Sequence, residues 1–468
     1  MRPLPCLLYR AAQLFSNSLA LESNEGEQWN FLQWHQESVR WESALKKKWN
    51  WPAGSLVAIH LCSPPTPSLL FFLFAAWRLK WTLILLPRFF SPRFCRERLS
   101  DLPEVHWFSL EEERISFPSS SSSTSPFFGS NQPLTCLFTS GTTGMPKKAL
   151  LSYGNYFYNA LGFHLRFPLQ RGDRWLLSLP LYHVGGLAIL FRLLWGGGTL
   201  LLSRKLTLSL STCIEREVTH LSLVHTQLYR MIQQIPLSLD PSGWHPKFLL
   251  LGGGIIAPSL LQRALTYRWP LYMSYGLTEM ASQVSIQPIT DSFAGELGDV
   301  LSYRQLSLSS EGEIAVRGQT LFLGYLEGEK ITLPLHSGWF ITGDHAKKRE
   351  KQFIFIGRSN FLFMCGGEKI APEVIERIFL SWKEVEQIIV VAVPDEEFDQ
   401  VPAAFIQWHQ DQKKTLNEIA EQFQDTLPNH FLPRYYFPYP QEENLTLKVS
   451  RREWGERAKR YLHKQKMH

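Results

Sequence analysis

Between Thr135 and Lys148 the chain reads Thr-Cys-Leu-Phe-Thr-Ser-Gly-Thr-Thr-Gly-Met-Pro-Lys-Lys. Thr135 to Thr139 is apolar, aromatic and β-branched, which predicts a short buried strand. It empties directly into Ser140, Gly141, Thr142, Thr143 and Gly144. Small side chains let backbone N–H groups converge on an anion, hydroxyls add donors, and glycines permit positive φ. Lys147 adds a full positive charge at the rim. Together these suit a polyphosphate. No Gly-Lys-Ser/Thr closes the turn, so it is not a Walker loop.

The rest of the chain predicts an α/β layer fold around that strand. Gln28 to Leu45 reads as an amphipathic helix, Ser55 to Leu61 as a core strand, and Leu69 to Pro87 as a buried helix followed by the strand Trp81 to Leu86. Arg78 and Lys80 interrupt this last run well short of the ~20 apolar residues of a spanning helix, so no membrane insertion is expected. Ser119 to Ser125 is a low-complexity loop. Ser152 is placed to cap a helix through Tyr156 to Phe163, and Trp175 to Leu179 reads as a strand. After about Ala294 the texture changes to short β runs (Glu313 to Val316, Leu321 to Tyr325, Trp339 to Thr342, Phe353 to Ile356), which suggests a small barrel-like β subdomain. Beyond Gly357-Arg358 the remainder reads as a smaller α+β domain.

With 48 Lys+Arg against 42 Asp+Glu the net charge is +6, and the basic residues are scattered. A nucleic-acid binder concentrates them, so no nucleic-acid partner is expected, and Arg451 to Lys466 reads as a solvated amphipathic helix. The six cysteines form no Cys-x-x-Cys pair, which points to a reducing cytoplasm.

Several residues read as site candidates. Phe248 to Leu251 predicts a strand feeding Gly252, Gly253 and Gly254, which permit flat contact between backbone and a planar ligand. A second strand, Leu271 to Ser274, ends in Tyr275-Gly276-Leu277-Thr278-Glu279. That order offers an aromatic face, a hydroxyl and a carboxylate at one strand end, where ligands of α/β sheets collect. His183 follows Pro180-Leu181-Tyr182, and Arg192 sits inside the apolar run Leu187 to Trp195, where a charge needs a partner. Arg192 either snorkels to the surface or meets a substrate carboxylate bidentately.

The run Thr-Ser-Gly-Thr-Thr-Gly-Met-Pro-Lys resembles the phosphate loop of the acyl-adenylate-forming superfamily. So do Tyr275 to Glu279, Thr342-Gly343-Asp344, Gly357-Arg358 and the terminal Leu-Lys-Val-Ser-Arg. Within the superfamily the chain looks most like the o-succinylbenzoate–CoA ligases of menaquinone biosynthesis, on Ser222 to Arg230, Leu250 to Gly254, Tyr275 to Gln283 and Gly357 to Glu376. The resemblance implies an N-terminal domain over 1–358, a mobile C-terminal domain over 359–468, and a hinge at Asn360. It implies ATP, Mg²⁺ and CoA as cofactor and co-substrates, a small carboxylic acid as partner, and leaves a homo-oligomer open. By the same resemblance Thr139 to Gly144 and Lys147 hold the β- and γ-phosphates, and Tyr275 stacks on adenine beside Gly252 to Gly254. Thr278 reaches the α-phosphate, Glu279 holds Mg²⁺, and Asp344 and Arg358 bind the ribose. Lys448 is the adenylation lysine, and Gly366 and Gly367 line the CoA tunnel. His183, Arg192, Thr226 and Ser274 are acyl-pocket candidates.

Three positions depart from the pattern: Lys148 and Leu447 stand where the family has glycine, and Asn360 where it has Asp or Lys. Two alternatives stay open: a ligase for another aryl or fatty acid, and a non-catalytic nucleotide-binding relative.

Overall fold

Strands that are buried at every position are covered on both faces, and two of them reveal the layering. In Thr82–Pro87, Leu83 and Leu85 enter one apolar cluster while Ile84 and Leu86 enter another. In Phe248–Leu251, Phe248 and Leu250 join that same first cluster, and Leu249 and Leu251 face a third. The period of two along each strand therefore sorts the core into layers. The computed structural model describes residues 3–61, 64–88, 90–110, 115, 117, 127–139, 146–203, 208–235, 243–254, 256, 258–293, 295–350, 352–365, 368–395, 398–409, 414–423, 431–440 and 451–466.

Thr82–Pro87 belongs to a seven-stranded sheet in the order Lys330–Thr332, Gly324–Glu327, Lys147–Ser152, Pro133–Thr139, Thr82–Pro87, Leu56–Leu61, Val105–Phe108. It is parallel from Pro133–Thr139 onward and antiparallel before it. Phe248–Leu251 lies in a nine-stranded sheet: Asp299–Val300, Ser282–Pro288, Leu271–Leu277, Phe248–Leu251, His220–Leu223, Arg174–Leu176, Thr199–Leu201, Leu19–Glu22, Gln28–Asn30. Helices Pro67–Arg78, Tyr153–Arg166 and Val184–Gly196 fill the cluster shared by the two sheets. Pro92–Leu99 covers the far face of the first sheet. Leu210–Glu215, His225–Gln233 and Pro258–Thr266 cover the far face of the second. Helix and sheet thus alternate through the molecule.

Ser152 caps the helix Tyr153–Arg166 as its position in the sequence predicts. Its Oγ accepts from the Asn155 N–H, and the Asn155 side chain accepts from the Ser152 N–H. The reciprocal pair satisfies two otherwise orphaned donors.

A five-stranded antiparallel sheet follows, built of Arg304–Leu308, Glu313–Gly318, Trp339–Arg349, Leu335–His336 and Gln352–Arg358. One expected member is missing from it. The strand read over Leu321 to Tyr325 forms as Gly324–Glu327 and pairs with Lys147–Ser152, so it extends the seven-stranded sheet. Its apolar alternation sets which face is buried and carries no information about which sheet it joins.

The last unit has its own sheet of Glu368–Ile370, Phe363–Cys365, Asp399–Trp408, Val385–Asp395 and Tyr435–Pro438. Helix Pro372–Leu380 packs against it, as does Arg451–Lys466, whose Trp454 and Ala458 are buried. Among the described residues no helix is long and apolar enough to cross a membrane. Cys6, Cys95, Cys136, Cys213 and Cys365 are buried, and no disulfide forms among the described cysteines. The loop Ser119 to Ser125 lies outside the described residues.

Candidate functional site

The carboxyl end of Leu271–Leu277 organises the site. Tyr275 is 9% exposed, and its hydroxyl donates to Asp344 Oδ2 at 2.9 Å. Arg358 Nε donates to the other oxygen of Asp344 at 2.8 Å. Asp344 is 2% exposed, and each of its oxygens keeps a lone pair to accept a further hydroxyl. Burial, then the Asp344 charge, push the Tyr275 phenol well above its ordinary range. Burial alone pulls the Arg358 guanidinium down, but Asp344, with Tyr275 and Glu279, outweighs it and the net shift is upward. Both groups therefore hold their protons.

Gly276 does not form a tight turn. It lies within the strand, where a Cβ would meet the Ser282 carbonyl oxygen at 2.1 Å. The turn comes after it: one turn of 3₁₀ helix over Thr278–Met280, with Ala281 and Ser282 at positive φ, returns the chain as Ser282–Pro288. Thr278 and Glu279 are thereby presented at the strand end. Beside them Gly253 has φ +82°, and a Cβ on Gly254 would meet nothing within 4 Å. That leaves open space next to Tyr275's strand.

The strands Pro133–Thr139 and Lys147–Ser152 reach the same place from the other sheet. Thr139 and Lys147 are paired across the antiparallel strands Pro133–Thr139 and Lys147–Ser152. The turn they bracket, Ser140 to Gly144, lies outside the described residues. Lys147 Nζ sits 4.7 Å from the Tyr325 ring centre, and the Tyr325 hydroxyl donates to Glu279 Oε1 at 2.7 Å. Burial, then the Glu279 carboxylate, raise the Tyr325 phenol far above its usual range. The sequence reading missed Tyr325, whose only local signal is a place in a β-type run.

Lys148 points to the opposite face of the strand. Its ammonium pairs with Asp101 and reaches the Arg98 carbonyl at 3.4 Å. Asp101 also accepts from the Gly328 N–H at 3.0 Å. Burial opposes ionisation of Asp101, and Lys148 together with the Gly328 N–H overcomes it, holding the carboxyl below its ordinary value. The departure at position 148 therefore serves the sheet's outer face and adds no charge beside Lys147.

The acyl-pocket candidates are spread out. Arg192 is 1% exposed, so it does not snorkel. Its guanidinium lies over Phe163 and Trp175, and Nη2 donates to Asn159 Oδ1 at 3.2 Å. Nε has no partner, and no carboxylate pairs with the group among the described residues. Burial, then the nearby Arg304, lower it to about 9. His183 is exposed at the start of the same helix, Val184–Gly196. The nine-residue separation is about 14 Å of helix rise, so the two could contact only opposite ends of a ligand. Thr226 and Ser274 are half-buried, and the Ser274 carbonyl lies 3.4 Å from where a Cβ on Gly252 would sit.

On the C-terminal side, Lys448, Leu447, Gly366 and Gly367 lie outside the described residues, as does the side chain of Asn360. Three residues past Lys448, Arg451 grips Glu376 with two hydrogen bonds of 2.5 and 2.7 Å and lies 3.5 Å from Glu373. It also donates to the Val390 carbonyl at 2.6 Å and stacks on Phe361.

Comparison with known proteins bears on this arrangement. A family model for AMP-binding enzymes matches residues 97–326. The 2-succinylbenzoate–CoA ligase of Haemophilus influenzae is 30% identical over 448 residues, covering 94% of this chain and 95% of the relative. The chain belongs to the AMP-binding enzyme family. Another member, the 2-succinylbenzoate–CoA ligase of Bacillus pumilus, is 33% identical over 329 residues, 66% of this chain and 65% of its own. The match thus spans just under two thirds of that relative's length. Among solved structures, wild-type E. coli MenE with a bound m-phenylether-linked analogue of OSB-AMS superposes with TM-score 0.80. It is 26% identical and covers 97% of this chain and 99% of that one. The alternating α/β layers described above are therefore those of an AMP-binding enzyme.

Proposed function

We propose that this chain is an AMP-forming acid–CoA ligase whose acid is o-succinylbenzoate, the 2-succinylbenzoate of its relatives' names. One observation carries the reading. The Tyr275–Asp344–Arg358 cluster and the Lys147–Tyr325–Glu279 cluster meet at one strand end, with room beside Gly254. That arrangement suits a nucleoside at one side and a polyphosphate at the other.

A carboxylate has no leaving group that a thiol can displace. It first attacks the α-phosphorus of ATP, the P–O bond to pyrophosphate breaks, and a mixed acyl–phosphate anhydride forms. The thiolate of CoA then attacks the acyl carbon, and AMP leaves. In this reading Asp344 and Arg358 fix the ribose, Tyr275 flanks the base, and Thr278 donates to the α-phosphate. Thr139, the turn Ser140 to Gly144, and Lys147 hold the β- and γ-phosphates. Lys147 and Lys448 offset the charge that builds up as pyrophosphate departs, an electrostatic contribution to catalysis. Glu279 spends one oxygen on Tyr325 and keeps the other. A single carboxylate fits Mg²⁺, which keeps its waters and draws further ligands from phosphates. Bound there, Mg²⁺ would neutralise phosphate charge. Residues 1–358 form the ATP and acyl lobe and 359–468 the mobile lobe, turning at Asn360 so that Gly366 and Gly367 replace Lys448 for the thiol step.

Arg192 supports the choice of acid. It is a buried cation without a counter-ion among the described residues, and o-succinylbenzoate carries a second carboxylate. Arg192→Leu is expected to raise KM for o-succinylbenzoate about 10- to 100-fold, the weight of a charge-assisted pair. Stability should hold, because an unpaired buried charge is removed. An unchanged KM rules that role out. The function itself is tested by ATP–pyrophosphate exchange across a panel of acids. Exchange with o-succinylbenzoate well above fatty and simple aryl acids is expected, and a preference for another acid would redirect the assignment.

A further inference from the structure

We propose that Tyr325 is a positioning residue for the metal–triphosphate end of the site, tying the metal carboxylate of one sheet to the phosphate lysine of the other. The inference rests on the function proposed above.

Glu279 leaves the end of Leu271–Leu277 in the nine-stranded sheet, whereas Lys147 opens Lys147–Ser152 in the seven-stranded one. Nothing in either sheet's own hydrogen bonding fixes one residue relative to the other. Tyr325 does so. Its strand pairs Tyr325 with Ala149, two residues along from Lys147, so Tyr325 and Lys147 share a face. The ring receives the Lys147 ammonium at 4.7 Å, and the hydroxyl holds Glu279 Oε1 at 2.7 Å. A backbone bond from the Phe322 N–H to the Glu279 carbonyl, 2.8 Å, docks the same segment beside Glu279.

The consequence is a division of the Glu279 carboxylate. A carboxylate accepts on both oxygens. With Oε1 held by a neutral donor, the side chain cannot swing toward Lys147 and close a direct ion pair. Such a pair would consume both the metal ligand and the phosphate cation. The Tyr325 ring meanwhile keeps Lys147 available, because a cation over a ring face keeps its own N–H donors.

The test uses the full-length chain and reads binding at equilibrium. Calorimetric Kd values for Mg·ATP and for AMP are measured in wild type, Tyr325→Phe and Tyr325→Leu. AMP lacks both the outer phosphates and their metal. Tyr325→Phe should weaken Mg·ATP about 10- to 100-fold, the range for losing a hydrogen bond to a charged group, and leave AMP within about twofold. Tyr325→Leu, which also removes the ring, should weaken Mg·ATP further. Thioester formation from supplied acyl-adenylate should be unchanged in Tyr325→Phe, since that step involves neither metal nor pyrophosphate. Equal weakening of Mg·ATP and AMP overturns the proposal, because it marks a packing role. If wild type binds Mg·ATP and Tyr325→Phe matches it, the inference alone fails. A wild type that binds no Mg·ATP takes the proposed function down as well.

Discussion

Lys448→Ala is expected to slow acid-dependent pyrophosphate release roughly 10²–10³-fold, the scale of losing one oriented donor from a developing charge. Thioester formation from supplied acyl-adenylate should largely survive. The asymmetry follows from the two reactions. Adenylation loads charge onto a departing pyrophosphate, where an ammonium helps, whereas thiol attack at an acyl carbon only needs the lysine out of the way. Single-turnover assays of each half-reaction make the comparison, and equal losses in both would refute the proposed division of labour.

The second large effect concerns the buried ion cluster at the start of the last helix. Arg451 begins the helix Arg451–Lys466 and holds Glu376 through two hydrogen bonds, with Glu373 alongside. Both glutamates are 5% exposed. Burial, ahead of the opposing Arg451 charge, pushes the Glu373 carboxyl upward, and one of its oxygens has no hydrogen-bond partner among the described residues. Glu376 also accepts from the Val390 N–H at 2.7 Å. Arg451→Met strands two buried carboxylates, and breaking such a pair costs about 3–5 kcal/mol. Urea unfolding of the full chain should show this as an earlier transition of the C-terminal lobe. A multidomain chain need not melt in one step. Adding Glu376→Met should recover much of the loss, because an apolar pair can replace a buried ionic one. If Arg451→Met unfolds like wild type, the clamp contributes nothing to the stability of this unit.

Much of this fold was legible in the sequence where local chemistry decides it. The strand Phe248–Leu251 forms over the residues its apolar run marks, because both its faces are buried. The helix after Ser152 starts where a side-chain oxygen can take the first free N–H groups. Errors arise where distant partners decide. Trp175 to Leu179 is apolar except at Ser178, yet only Arg174–Leu176 is strand. Leu271 to Ser274 continues through Leu277 because Gly276 packs on the backbone of Ser282 and not in a turn. The Leu321 to Tyr325 run joins a sheet whose other strands, apart from its own hairpin partner Lys330–Thr332, all end at or before Ser152.

The site divides in the same way. Tyr275, Glu279, Asp344, Arg358 and Lys147 stand in recognisable runs, and the structure brings them to one strand end. Tyr325 carries no such run, and only the pairing of Tyr325 with Ala149 shows where it acts. Lys148 departs from the family pattern for a reason that also needs the third dimension, since Asp101 is remote in sequence.

The most direct measurement is mass spectrometry of the wild-type chain incubated with ATP, Mg²⁺ and o-succinylbenzoate, first without and then with CoA. The account predicts the acyl-adenylate and pyrophosphate in the first incubation, and the CoA thioester with AMP in the second. Pyrophosphate release that does not depend on the acid, or an adenylate that never passes to CoA, would contradict it.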